Sequence, residues 1–189
     1  RMAQMISNLL DLSRLEAGLL LLRRSPYSLV DLVGDATRHL RVDEDSIEIV
    51  IAPDLPDVLV DGPRIEVVIH NLLANALAYG DAPVRLSARR GEGDEALIEV
   101  MDSGAGIVTE DLPHVFERFY RASHGQSRSG AGAGLGLAIC KAFVEAHGGR
   151  IWARNGAVGV VIAFTLPLVP AVAPVESERA ASTQTTGGA

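Results

Sequence analysis

Apolar side chains recur at Met2, Met5, Leu9, Leu12 and Leu19, in steps of three, four and seven, with Glu16 as the one interruption. Ile6, Leu15 and Leu22 add a second stripe. This pattern predicts a helix over 1–22 that belongs to a bundle or coiled coil, since so wide an apolar face needs a partner. "RRSPY" reads as a joint, because Pro26 disfavours helix at Ser25. A helix over 28–40 comes next, with Ser28 as N-cap and Asp31 in the capping-box slot. "SIEIVIA" (46–52) alternates like a half-buried strand, and "VLVD" (58–61) is a short strand after the turn "PDLP". Residues 62–79 form a helix opened by Pro63. Strands follow at 83–90 and 95–102, joined by the turn-forming "GEGD".

Residues 103–133 are long, irregular and glycine-rich, with a short helical piece near "FERFYR"; such a loop inside a compact domain is usually functional. A helix over 133–147 ends at Gly148, and two strands, "RIWARN" and "GVVIAFTLPL", close the pattern. From Pro170 the chain lacks large apolar residues, so 170–189 is expected to be a disordered tail. Hairpins of antiparallel strands with a segregated helix layer predict an α+β fold, a two-layer α/β sandwich preceded by one long bundle helix.

Composition narrows the classes. At 189 residues and 48% hydrophobic, the chain suits one domain with attachments. A net charge of -7 argues against a nucleic-acid partner, which needs a basic face. The one cysteine, Cys140, fits a reducing compartment, and no apolar run reaches the ~18 residues of a membrane span. The opening, Arg1-Met2-Ala3-Gln4, reads as the middle of something longer.

Four stretches carry candidate chemistry. Asn71 and Asn75 sit four apart on one helix face, offering carbonyl oxygens to a hard cation and N–H donors to phosphate; amides bridging within a core look the same from spacing alone. Asp102 ends the apolar row Ala96, Ile98, Val100 and opens "DSGAG", where Gly104 and Gly106 let backbone approach a flat ligand; a plain turn is the competing reading. "FERFYR" sets Phe116 and Phe119 beside Arg118 and Arg121, a docking pair with two phosphate-reaching guanidiniums, or simply an amphipathic cover. "GAGLGL", with Gly132, Gly134, Leu135 and Gly136, opens a helix whose first N–H groups can face a phosphate. Its spacing fits neither the Rossmann nor the Walker pattern.

Together, Asn-x-x-x-Asn, D-x-G-x-G, F-x-x-F-Y-R and G-x-G-L-G-L resemble, in order and spacing, the N, G1, F and G2 boxes of the histidine kinase ATP-binding domain, of the superfamily that includes gyrase, Hsp90 and MutL. The resemblance spans about 28–168. "MISNLLDLSRLEAG" upstream looks like the second helix of the dimerisation hairpin, and the flanks look most like the KdpD subfamily of potassium-sensing kinases.

The resemblance implies a Bergerat fold over 26–169, after a partial hairpin at 1–25 and before the tail at 170–189. It implies ATP and Mg²⁺ as ligands. Asn75 would hold the metal with Asn71 beside it, Tyr79 would line the site, and Asp102 would accept the adenine amino group. Gly104 and Gly106 would pass the purine, and Phe116 and Phe119 would anchor a lid. Arg118 and Arg121 would approach the phosphates, and Gly132, Gly134, Leu135 and Gly136 would form the far hinge.

The implied activity is a protein-histidine kinase, passing the γ-phosphoryl group to a histidine and then to a response-regulator aspartate, in the cytoplasmic portion of a membrane-bound, homodimeric sensor. None of the five histidines has the phosphoacceptor context, so no catalytic residue is assigned and the chain holds the engine without its own substrate. Ala78 stands where the family often has Lys, and Ala133 where it often has Thr or Ser. The alternative is a degenerate regulatory module of the same fold that binds nucleotide weakly or not at all.

Overall fold

The computed structural model describes residues 10, 21–38, 40, 46–81, 83–121 and 134–170. The helix expected over 1–22 lies outside them, except Leu10, which is helical, and residues 21 and 22, which are not. The tail expected from 170 lies outside them beyond Pro170.

Among the described residues eleven named segments follow one another, and their order follows the predicted pattern closely. They are β1 (Ser25–Tyr27), α1 (Leu29–Thr37), β2 (Ile47–Ile51), β3 (Val58–Val60), α2 (Gly62–Tyr79), β4 (Val84–Arg90), β5 (Glu95–Met101), a 3-10 turn (Leu112–His114), α3 (Gly136–Ala146), β6 (Ile151–Asn155) and β7 (Val160–Pro167). Ser28 caps α1 as expected, accepting the Val30 N–H at 3.2 Å. Gly148, at φ +86, ends α3 with the predicted left-handed turn, and its N–H reaches the Glu145 carbonyl at 2.9 Å.

Two expectations need correction. The joint 23–27 contains a strand: β1 pairs antiparallel with β3, Pro26 opposite Leu59. β2 and β3 therefore do not form a hairpin. β2 instead pairs in parallel with β4 at the edge of a five-stranded sheet ordered β2-β4-β5-β7-β6, whose other pairs are antiparallel. A parallel neighbour requires a long crossover, and the chain between the two strands supplies one through α2. The helical piece expected at "FERFYR" lies slightly earlier, as the turn over Leu112–His114.

All three helices cover one face of the sheet, with α2 packed between α1 and α3. Leu32, Ile65, Ile69, Leu72, Leu73, Leu86, Ile98, Phe143, Phe164 and Leu166 fill the space between the layers, each fully buried. The opposite face carries cross-strand ion pairs, Arg154–Glu99 at 3.0 Å and Arg150–Glu95 at 3.4 Å, over β7, whose Val161, Ala163 and Thr165 are buried.

One polar node ties the helix ends together. His147 is 1% exposed. Its Nδ1 lies 2.7 Å from the Phe143 carbonyl and its Nε2 2.9 Å from the Asp61 N–H. A carbonyl can only accept, so Nδ1 carries the proton and Nε2 takes the Asp61 hydrogen. Asp61 in turn accepts the Arg23 N–H at 3.0 Å, and the Arg24 guanidinium donates to the Ala146 carbonyl at 2.8 Å. The start of α2, the end of α3 and the segment leading into β1 thus meet at one point.

Candidate functional site

The opposite ends of α2 and α3 frame a different kind of place. The apolar stripe of α2 faces the sheet, which leaves Asn71 and Asn75 half-buried on the side toward α3. There Gly136 opens α3, so close that a Cβ on it would lie 3.8 Å from Asn75 Nδ2 and 3.9 Å from Asn71 Cγ. Among the described residues the amide nitrogen of Asn71 is buried and finds no hydrogen-bond partner while the neighbouring Cys140 thiol is protonated. A buried donor left unmade is costly, and a native fold keeps one where something outside the chain can satisfy it. Beside it lies Cys140, whose thiol burial pushes up to about 12, with the Asn71 amide pulling the other way. Among the described residues no side chain caps the start of α3, so its first N–H groups are open to an acceptor.

At the end of the central strand, Asp102 follows β5 and is held before any ligand arrives. Its Oδ1 accepts the Gly104 N–H at 2.9 Å and the Val160 N–H at 3.3 Å. Among the described residues nothing donates to Oδ2. Three glycines close around it. A Cβ on Gly80, at the end of α2, would collide with the Asp102 side chain, and one on Gly159 would collide with its carbonyl. Gly104 lies against the Gly80 backbone, 2.9 Å from where its own Cβ would stand. Gly106, at φ +82, takes the left-handed turn that lets the chain leave the site.

The remaining predicted residues sort into those the fold gathers and those it does not. Phe116 is half-buried and lines, with Leu112, Pro113 and Ile151, a groove of about 320 Å³ beside β6. Phe119 does not dock: it is 68% exposed and has φ +62. Its backbone does the work instead, with its N–H donating to the Gly134 carbonyl at 2.8 Å, so the two ends of the 120–133 stretch are joined. The side chain of Leu135 is 4% exposed and belongs to the core, so only its backbone faces the site. Tyr79 is 49% exposed on the last turn of α2. Arg118 and Arg121 lie on the surface, and Gly132 is outside the described residues.

Sequence reasoning missed two residues. Tyr120 Oη donates to Asp111 Oδ1 at 2.6 Å, which raises the tyrosine pKa to about 12 and braces the aromatic turn. Asn155 grips Ile107, accepting its N–H at 2.9 Å and donating to its carbonyl at 2.7 Å. Tyr120 was visible inside "FERFYR", but Asn155 lies 48 residues from its partner and carries no local signal.

Residues 60–170 match the sequence model of the family described as histidine kinase-, DNA gyrase B-, and HSP90-like ATPase. The chain belongs to this family. Relatives within the histidine kinase-, gyrase B- and HSP90-like ATPases include the signal transduction histidine-protein kinase AfsQ2 of Streptomyces coelicolor, 36% identical over 178 residues, covering 94% of this chain and 32% of AfsQ2. The sensor protein KdpD of Clostridium acetobutylicum is 33% identical over 168 residues, covering 87% of this chain and 19% of KdpD. The likeness to KdpD is therefore shared with other sensor kinases and does not single out that subfamily. Among solved structures, full-length ShkA in complex with AMPPNP superposes with a TM-score of 0.74 at 28% identity, over 92% of this chain and 37% of ShkA. The chain thus spans about a third of AfsQ2 and a fifth of KdpD, and within such kinases it corresponds to the ATP-binding catalytic domain.

Proposed function

We propose that this domain binds ATP with Mg²⁺ and presents the γ-phosphoryl group to a histidine on a helical hairpin, from which it passes to an aspartate of a response regulator. The carrying observation is Asp102, with one carboxylate oxygen fixed by two backbone N–H groups, the other without a donor among the described residues, and three glycines packed closely around the residue. An oriented acceptor beside backbone bare of side chains suits a flat ring that bears an amino group.

The rest of the ligand fits the residues at hand. The unpaired Asn71 amide suits a phosphate oxygen, and the carbonyl of Asn75 suits a hard cation. Among the described residues no cluster of three His, Cys, Asp or Glu could hold a metal, so an amide and the phosphates themselves are the fitting donor set. Mg²⁺, when bound, neutralises phosphate charge. The chain's own part is to orient: the first N–H groups of α3 face the phosphates, Arg118 and Arg121 approach them, and Phe116 holds the intervening turn on β6. With an amide at position 71 no side chain there can act as a general base toward water, which favours transfer over hydrolysis.

We place 1–25 as half of the dimerisation and phosphoacceptor hairpin of a homodimeric parent, in the cytoplasmic portion of a membrane-bound sensor. No described helix is long and apolar enough to cross a membrane.

Calorimetric titration with a non-hydrolysable ATP analogue, with and without Mg²⁺, tests the reading. Wild type is expected to bind in a Mg²⁺-dependent way, and Asp102→Ala to lose at least about tenfold in affinity, the scale of one hydrogen bond to a charged group. Absence of binding in wild type would favour the degenerate module, with Ala78 and Ala133 as the first positions to change.

A further inference from the structure

We propose that Asn155 is a positioning residue of the nucleotide site, fixing the loop after Asp102 and with it the alignment of the carboxylate on the purine. This rests on reading the Asp102 pocket as the adenine site. Asn155 is the last residue of β6, paired with Val160, and its side chain crosses to the loop rather than to its own strand. Both bonds go to one residue: Oδ1 takes the Ile107 N–H at 2.9 Å and Nδ2 donates to the Ile107 carbonyl at 2.7 Å. A neutral side-chain amide can donate and accept from adjacent atoms, whereas a carboxylate can only accept and alanine does neither.

The loop between Asp102 and Ile107 is thereby held at both ends. At one end Asp102 is paired to Val160 by its N–H at 3.1 Å and by Oδ1. At the other end, five residues on, the amide clamps Ile107. Between them Gly106 turns at φ +82, and a Cβ there would come within 3.1 Å of Asn155 Oδ1, so the glycine and the amide fit as a pair. The same turn of chain, Asn155 to Val160, therefore supplies both end clamps of the loop, while the Asp81 carbonyl accepts the Ser103 N–H at 3.2 Å on the other side. Gly156 and Gly159 close that turn through a 3.0 Å bond, which makes it a rigid platform.

The test uses the whole 189-residue chain as wild type, Asn155→Ala, Asn155→Asp and Asp102→Ala. Affinities for ATP and for inosine triphosphate, whose purine offers no amino group to Asp102, are measured together with the melting temperature. Asn155→Ala is expected to weaken ATP about tenfold, as for two modest hydrogen bonds. It should also narrow the preference for ATP over inosine triphosphate and leave the melting temperature within a few degrees. Asn155→Asp keeps the size and loses the donor, so it should behave like the alanine variant; a role in filling space alone would leave it like wild type. Wild-type affinity and preference in both variants would overturn the inference, while loss in Asp102→Ala keeps the adenine site. Equal loss for both nucleotides with a lowered melting temperature would also overturn it, as a general loosening of the fold. A wild type that binds neither nucleotide would overturn the inference and the adenine site together.

Discussion

Asp102 owes its geometry to what its neighbours lack. Gly80, Gly104 and Gly159 leave the space that the carboxylate occupies, and Gly159 also takes φ +66, which side chains rarely adopt. Gly159→Ala therefore meets two obstacles, a left-handed backbone worth about 1–2 kcal/mol and a methyl driven into the Asp102 carbonyl. We expect its melting temperature to fall by at least roughly 3 °C and its affinity for an ATP analogue to fall with it, checked by circular dichroism and calorimetry. Gly34, which has nothing near its missing Cβ, is the control: Gly34→Ala should be neutral or stabilising, by up to about 1 kcal/mol.

At the level of elements, the junction of α2 with α3 answers to pH. Burial holds the His147 pKa below its ordinary value of 6.5, Arg24 pushes it further down, and the Phe143 carbonyl and Asp61 oppose this. Above about pH 6.5 the ring is neutral folded and unfolded, so it adds no pH dependence. As pH falls below that value the unfolded chain takes up a proton that the fold refuses, and stability declines until the folded pKa is reached. His147→Ala should remove that part of the acid slope. It should also cost about 1–3 kcal/mol at pH 8, because the Asp61 N–H loses its acceptor; urea melts across pH check both.

Elements such as α2 were legible because periodicity and Pro63 agree, and its bounds match the prediction to the residue. The pairing of β1 with β3 across α1 and β2, and of β2 with β4 across α2, was not legible, since partner choice depends on distant contacts that no local pattern encodes. The site divides the same way. Asp102 and the glycines showed in one short motif, whereas Asn155 joined them only through folding, and Phe119 looked like an anchor because composition cannot say which face of a turn is wet.

Across the molecule, the single thiol reports on the whole sandwich. Cys140 is fully buried between α2 and α3, and a thiol raised to about 12 stays protonated at neutral pH, so a disulfide reagent should react only when the helix layer opens. An ATP analogue at ~100 times its Kd should slow labelling about a hundredfold if opening empties the site; equal rates with and without nucleotide would separate the two. The sheet order carries a consequence for how the protein is made. β7, the last of the described strands in chain order, lies between β5 and β6 and brings Phe164 and Leu166 into the core. Until it emerges, β5 has an open edge and the helices cover an unfinished floor, so a nascent chain stopped before residue 160 should be held by chaperones, and the emergence of β7 is the event that closes the fold.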